Sequence, residues 1–266
     1  MKTLYLDCSM GAAGDMLAAA LLELYGDRAG FAAEMAAAGI PGTAVSAEDC
    51  FRCGVKGTRF RVSVRGEEEG EPSHHHHGEE EEHPHHHHGT CDINAVIDGL
   101  RVSEKVRGDV RAVYGLLAAA ESAVHGVPVS QVHFHEVGAL DAVCDVTAVC
   151  LLLEKLAPER ICASPVNVGG GTVTCAHGVL PVPAPAAAKL LEGVPIYGGE
   201  PKMELCTPTG AALLKYYVNL FGPLPVLRVA ASGCGMGARE VPGTLNALRA
   251  FLGESGNGDE AVTELA

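Results

Sequence analysis

The chain has 266 residues, 47% of them apolar, which is enough for one large domain or two small ones. A formal charge of −14 argues against nucleic acid as the main partner, since phosphate binding wants clustered Lys and Arg, and it suits cations better. No stretch reaches the ~18 uninterrupted apolar residues of a membrane helix, so no membrane partner is expected. The opening MKTLYLDCS runs from a strand into a loop and does not read as a signal peptide. Ten cysteines scattered singly, with no extracellular address, predict reduced thiols and a cytoplasmic location.

In chain order, residues 3–6 form a short apolar strand. DCSMGAAGD over 7–15 is a Gly-punctuated turn leading into an Ala/Leu-rich helix at 16–24. Strand, glycine loop and helix is where α/β proteins hold phosphates, and Ser9, Gly11 and Gly14 are what this loop offers. It has neither a P-loop lysine nor GxGxxG, so the pattern is unspecific. Asp7 and Asp15 either serve the helix start or add metal ligands. A second helix at 29–38 stops at Gly39-Ile40-Pro41-Gly42, and 45–64 alternates as a hairpin. Within it Cys50 and Cys53 form a lone CxxC, which reads as small hairpin residues or as half a zinc site.

From 66 to 89 the composition changes to EEEGEPSHHHHGEEEEHPHHHH. Nothing there builds a core, so a mobile, solvated insertion is expected. Nine of the thirteen histidines lie in it, as His74, His75, His76, His77, His83, His85, His86, His87 and His88. Imidazoles at this density bind nickel, copper or zinc; the alternative is a solvating loop with incidental metal affinity.

A long helix at 103–125 ends at Gly126-Val127-Pro128, and QVHFHEVGALDAVCDV follows at 131–146. His133 and His135 alternate about Phe134, so in an extended segment both imidazoles point to one side, and Glu136 comes next. Residues 138–156 predict a helix apolar nearly all round, hence buried, with Asp141 and Asp145 four apart on one face. A buried carboxylate needs a partner or a cation. The cluster reads as a divalent-metal or acid/base site, with Glu136, Asp141 and Asp15 as candidate catalytic groups. Helix-dipole and core hydrogen-bonding roles are the structural alternatives.

Residues 160–168 predict a strand running into the glycine loop 167–172, where Asn167 and Gly170 could approach a ligand. Pro181, Pro183 and Pro185 bar regular strand pairing until a helix near 186, and His177 is either a turn residue or a ligand. Thr207 N-caps a helix over 211–218, with Pro208 at its first position; Thr209 and Gly210 complete a candidate anion site. A strand at 227–231 leads into a third glycine loop, SGCGMGARE, and 244–252 is the last strand. Together these predict an α/β domain over 1–252, a mixed sheet flanked by helices. A hairpin subdomain at 44–90 carries the His-rich loop, and 253–266 is a polar linker.

YLDCSMGAAGDM, HFHEVGALDAVCDV, NVGGGTV, HGVLPVPAPA, CTPTGAALL and SGCGMGARE, in this order around an internal His-rich loop, closely resemble the LarC family. These are nickel-insertion proteins that complete the nickel-pincer nucleotide cofactor of lactate racemase. The resemblance covers nearly the whole chain. It implies a nickel chelatase of lyase type that places nickel into pyridinium-3,5-bisthiocarboxylic acid mononucleotide, using CTP with manganese or magnesium. Family members continue past a segment like VTEL into a C-terminal CTP-binding domain, so this chain reads as the N-terminal portion and is not expected to bind CTP alone. The C-terminal domain or second product, lactate racemase and a second copy of the chain are the implied protein partners. On this reading the His-rich loop gathers nickel. His133, His135, Glu136, Asp141, Asp145 and Asp7 position it, and the glycine loops with Thr207 and Thr209 hold the phosphate. A nickel storage or delivery protein without catalysis and a metal-dependent phosphohydrolase are the competing readings.

Overall fold

A computed structural model describes residues 1–68, 90–132, 140–175 and 177–256. Its strands are β1 (Lys2–Asp7), β2 (Thr43–Arg52), β3 (Val55–Val64), β4 (Glu67–Glu68), β5 (Arg160–Ala163), β6 (Val166–Asn167), β7 (Thr172–Cys175), β8 (Gly178–Pro181), β9 (Ile196–Tyr197), β10 (Leu220–Phe221), β11 (Leu227–Met236) and β12 (Ala247–Ser255). Its helices are α1 (Gly14–Tyr25), α2 (Arg28–Ala38), α3 (Thr90–Gly99), α4 (Glu104–His125), α5 (Leu140–Leu156), α6 (Pro185–Leu190) and α7 (Pro208–Tyr217).

The architecture is α/β, built on one mixed sheet in the order β10-β5-β1-β12-β11-β3-β2, with β4 pairing β3. β1 runs parallel to β5 and antiparallel to β12, and β5 is parallel to β10. The interior of β1 is buried throughout, as a strand flanked on both sides requires. The hairpin β2–β3 extends this sheet: β3 lies parallel to β11, with Thr58 opposite Gly235, so the hairpin residues continue the main sheet. α1, α2 and α5 pack against the strands, and α4 lies beyond α5, in contact with α6 and α7. That sandwiching explains why α5 is apolar almost all round: it buries one side toward the sheet and α1 and another toward α4. Leu4, Leu17, Leu21, Leu152 and Leu213 are among the largest fully buried side chains of one core cluster.

Three expectations change. The glycine-rich SGCGM is the second half of β11, not a loop. A Cβ at Gly233 would stand 2.1 Å from the Ala20 carbonyl oxygen and one at Gly235 1.9 Å from that of Met16, so these glycines let the α1 backbone lie directly on the strand. Residues 160–168 break into β5 and β6 at Ser164-Pro165, where proline removes a ladder donor. β8 pairs with β7 through Pro181, as an isolated hairpin with no further neighbour to need the missing N–H.

Candidate functional site

Three separate loops converge at the start of α1. Gly11 turns the first at φ +76°, and its amide donates to the Cys8 carbonyl. Backbone then meets backbone: Ala12 N–H donates to the Leu205 carbonyl and Thr207 N–H to the Ala12 carbonyl, each at 3.0 Å. A Cβ at Gly11 would sit 2.0 Å from the Leu205 oxygen and one at Gly210 2.1 Å from the Ala12 oxygen. The neighbouring amides are spent inside the protein as well. Gly169 donates to Asn167 Oδ1, Gly170 to the Met203 carbonyl and Gly210 to Thr207 Oγ1. Thr207 is therefore the N-cap its position predicts, and Thr209 lies buried behind it.

Beside this junction is a cavity of about 150 Å³, lined by Asp15, Glu204, Thr207, Arg239 and Asn246 with Ala13, Met16, Met203, Leu205, Gly237 and Ala238. Asp15 Oδ1 accepts a hydrogen bond from Met16 N–H at 2.8 Å. Burial pushes the Asp15 carboxyl up to about 6; backbone amides and the Arg59 charge hold it from rising further. The far wall is tied down by Arg52 at the end of β2. Its guanidinium donates to the carbonyls of Gly237, Ala238 and Arg239 at 2.5, 3.0 and 2.9 Å. Asn246, also buried, donates to the Arg239 carbonyl.

Asp141 and Asp145 do share a face of α5 and are not among the residues that line the cavity. Asp145 packs against Gly14, where a Cβ would be 2.7 Å from its side chain. Both charges act on Tyr114 of α4, whose phenol is raised first by burial and then by these carboxylates. Asp141 Oδ1 is buried and accepts no hydrogen bond from the described residues. Asp7, at the end of β1, is not a lining residue either. Arg249 pairs with it and Ser9 N–H donates to it, and together they hold its carboxyl low against the opposing effect of burial. Ser9 in turn accepts from Asn167 Nδ2 at 3.0 Å through its carbonyl. Thus Asp15 and Thr207 meet at the cavity, while Asp141 with Asp145, and Asp7 with Ser9 and Asn167, form two other groups.

His133, His135, Glu136 and the nine histidines of 74–88 lie outside the described residues. Among the described residues no three His, Cys, Asp or Glu side chains form a group that could hold a metal ion, and no helix is long and apolar enough to cross a membrane. The nine described cysteines are not joined to one another in disulfides. Sequence reasoning missed Glu204, Arg239, Asn246 and Arg52. Glu204 and Arg239 sit within motifs singled out for their glycines and threonines, and that adjacency was the available signal. Arg52 and Asn246 carry no local signal.

The family model described as "Nickel insertion protein" matches residues 4–266. A pyridinium-3,5-bisthiocarboxylic acid mononucleotide nickel insertion protein of Geobacillus kaustophilus is 38% identical over 96% of this chain and 60% of its own length. A protein of the same name from a Nocardioides species is 40% identical over 95% of this chain and 60% of its own length. A putative nickel insertion protein of Syntrophobacter fumaroxidans is 39% identical, over 97% and 62%. The chain thus spans about three-fifths of the length of the curated relatives it matches. No solved structure matches it.

Proposed function

The chain belongs to the nickel insertion protein family, and from that we propose that it takes part in placing nickel into pyridinium-3,5-bisthiocarboxylic acid mononucleotide. The observation that carries this reading is the match over 4–266 together with the names of relatives near 40% identity. Nickel is the cargo. Imidazole suits it, and the sulfur-bearing substrate draws it onward once delivered. The His-rich stretch 74–88 gathers the ion, and His133, His135 and Glu136 with Asp141 and Asp145 present it. A CTP-dependent step with manganese or magnesium belongs to the longer protein, in the cytoplasm, with lactate racemase as the recipient of the cofactor.

The cavity supports a subsite of this reaction. At about 150 Å³ it is smaller than the ~300 Å³ at which ordinary ligand pockets begin, so it takes part of the substrate. Arg239, Thr207 and Asn246 supply charge and hydrogen bonding for an acidic group. Asp15, poised near neutrality, accepts the proton that metal binding displaces from its ligands.

The test is a nickel-insertion assay on the thiocarboxylate nucleotide with the complete protein. His133→Ala with His135→Ala should abolish product, while removal of 70–88 should only raise the nickel required. If the loop deletion abolishes insertion and the double substitution leaves it intact, the division of roles is wrong. If no variant, nor the parent, transfers nickel while the loop alone binds it, the chain is a storage or delivery protein.

A further inference from the structure

Arg52 is the last residue of β2 and its one buried residue; the rest of this edge strand is exposed or half-buried. The hairpin turns over Cys53 and Gly54, both at positive φ, 51° and 74°, in the two-residue turn whose twist matches the flanking strands and which sets Arg52 opposite Val55. The guanidinium thereby reaches a segment 185 to 187 positions on and donates to three successive carbonyls, those of Gly237, Ala238 and Arg239. That segment has two further ties. The Ala238 amide is one of those that hold the Asp15 carboxyl down, and Asn246 Nδ2 shares the Arg239 carbonyl at 3.0 Å.

Gly237, Ala238 and Arg239 line the cavity and Arg52 does not, so the carbonyl oxygens it holds are directed out of the cavity. Their direction matters to an anion. A carbonyl is negative at its oxygen, and three of them facing inward would repel an oxyanion; turned onto a buried cation, they leave the Arg239 guanidinium as the charge on this wall. Glu240, 3.8 Å from Arg52 Nε, is 81% exposed, so water screens it and the carbonyls take the interaction. Arg239 is itself an exposed residue between β11 and β12. A long side chain on such a segment gives up rotamer freedom when it binds a ligand, and a backbone already fixed reduces what remains to be ordered.

We infer that Arg52 is a positioning residue for substrate recognition: by turning the 237–239 carbonyls out of the cavity it fixes Arg239 on the wall as the receptor for an oxyanion of the substrate. The inference deepens the cavity reading and rests on it. It makes the β2–β3 hairpin part of the binding machinery although no hairpin residue lines the cavity. The shape of the donor is what counts, because a planar guanidinium spans three carbonyls and an ammonium at the same place does not.

The experiment is calorimetry of the full chain with sulfate as the probe at pH 5.5, nickel and nucleotide withheld, each variant kept well below its melting temperature. Arg239→Gln should weaken sulfate by about tenfold or more. Arg52→Lys, which keeps the charge and loses the fork, should weaken it by about fivefold, and by no more than about twofold once Arg239 is already Gln. A merely structural Arg52 would lower the melting temperature and leave the affinity of the folded protein unchanged, and that result overturns the inference. So does an Arg52→Lys effect that persists in full beside Arg239→Gln, or a parent that binds no sulfate. A second measurement needs no Arg52 variant. In the parent, sulfate should slow hydrogen exchange at 237–240 and at the hairpin tip, 51–55, together; protection of 237–240 alone overturns the coupling. A parent that shows the coupling but never loads the nucleotide with nickel upholds the positioning role and counts against the insertion reading, so the two can fail separately.

Discussion

Arg52 makes a sharp test of how the cavity wall is held. Replacing it with Met keeps the aliphatic stem and removes the guanidinium, leaving the carbonyls of Gly237, Ala238 and Arg239 without their shared donor. The three are not equal, because Gly237 is buried while Ala238 and Arg239 are exposed. A buried acceptor that loses a charged donor costs about 2–3 kcal/mol, whereas water replaces the donor at an exposed carbonyl for about 0.5 kcal/mol each. The sum, about 3–4 kcal/mol, is reduced by relief of the buried guanidinium's own desolvation, so a loss of about 3 kcal/mol is expected. Arg52→Lys should recover less than half of it, since one ammonium cannot fork to three carbonyls. Glu240 lies 3.8 Å from Arg52 Nε but is 81% exposed, so Glu240→Gln should change stability by no more than about 0.5 kcal/mol. Urea unfolding with an unchanged slope measures each loss, and hydrogen exchange across 237–246 reports the wall directly. A loss for Arg52→Met below about 1 kcal/mol with unaltered exchange would falsify the clamp.

Other outcomes follow from the same geometry. Gly235→Ala drives a methyl into the Met16 carbonyl and should cost 3 kcal/mol or more by order of magnitude, whereas Gly115→Ala in α4, where a Cβ meets nothing, should stabilise by about 0.5–1 kcal/mol. Thermal melts of the two variants should therefore move in opposite directions. For Asp15 the folded carboxyl binds its proton more tightly than the unfolded one, 3.8 rising to about 6, so the stability it confers is complete below pH 4 and is lost as pH rises through about 6. About two pH units corresponds to at most about 3 kcal/mol, so Asp15→Asn should be more stable than the parent at pH 7.5 and equal to it near pH 4. A constant difference across that window contradicts a raised carboxyl. Asp109, nearly buried, accepts from Lys105, Tyr216 and Tyr217; Asp109→Ala leaves two phenols and an ammonium without it and should cost about 3–5 kcal/mol by chemical denaturation.

What the sequence made legible was local in origin. The periodic run of 103–125 marked α4, Thr207-Pro208 marked α7, and the nearly all-round apolar composition of 138–156 marked a helix covered on several sides. The four-residue spacing of Asp141 and Asp145 correctly placed both on one face of α5. What was not legible depends on partners far away in the chain. SGCGM looks like a loop because its glycines look like turn residues, yet what demands them is the α1 backbone, more than two hundred positions earlier. Arg52 carries no local pattern, and its carbonyl partners lie 185 to 187 positions away.

The glycine loops carry this contrast into function. Read locally, DCSMGAAGD, NVGGGT and CTPTG each look like an amide cradle for phosphate. In the fold the amides of Gly11, Gly169, Gly170 and Gly210 all donate to protein acceptors, and the room where Cβ atoms would stand at Gly11 and Gly210 is filled by a neighbouring carbonyl. Glycine is required here so that three loops can touch, a packing demand that resembles a phosphate loop in sequence and differs from it in where the donors point. An anionic group entering the cavity would therefore meet side chains first, Arg239, Thr207 and Asn246, with the Asp15 carboxylate opposing it until it is protonated or a cation intervenes. That order of events makes binding of an anionic fragment stronger below pH 6 than above it when nickel is withheld. Calorimetry with sulfate, whose charge does not change between pH 5.5 and 7.5, reads the difference, and equal affinities would mean that the Asp15 charge does not face the ligand.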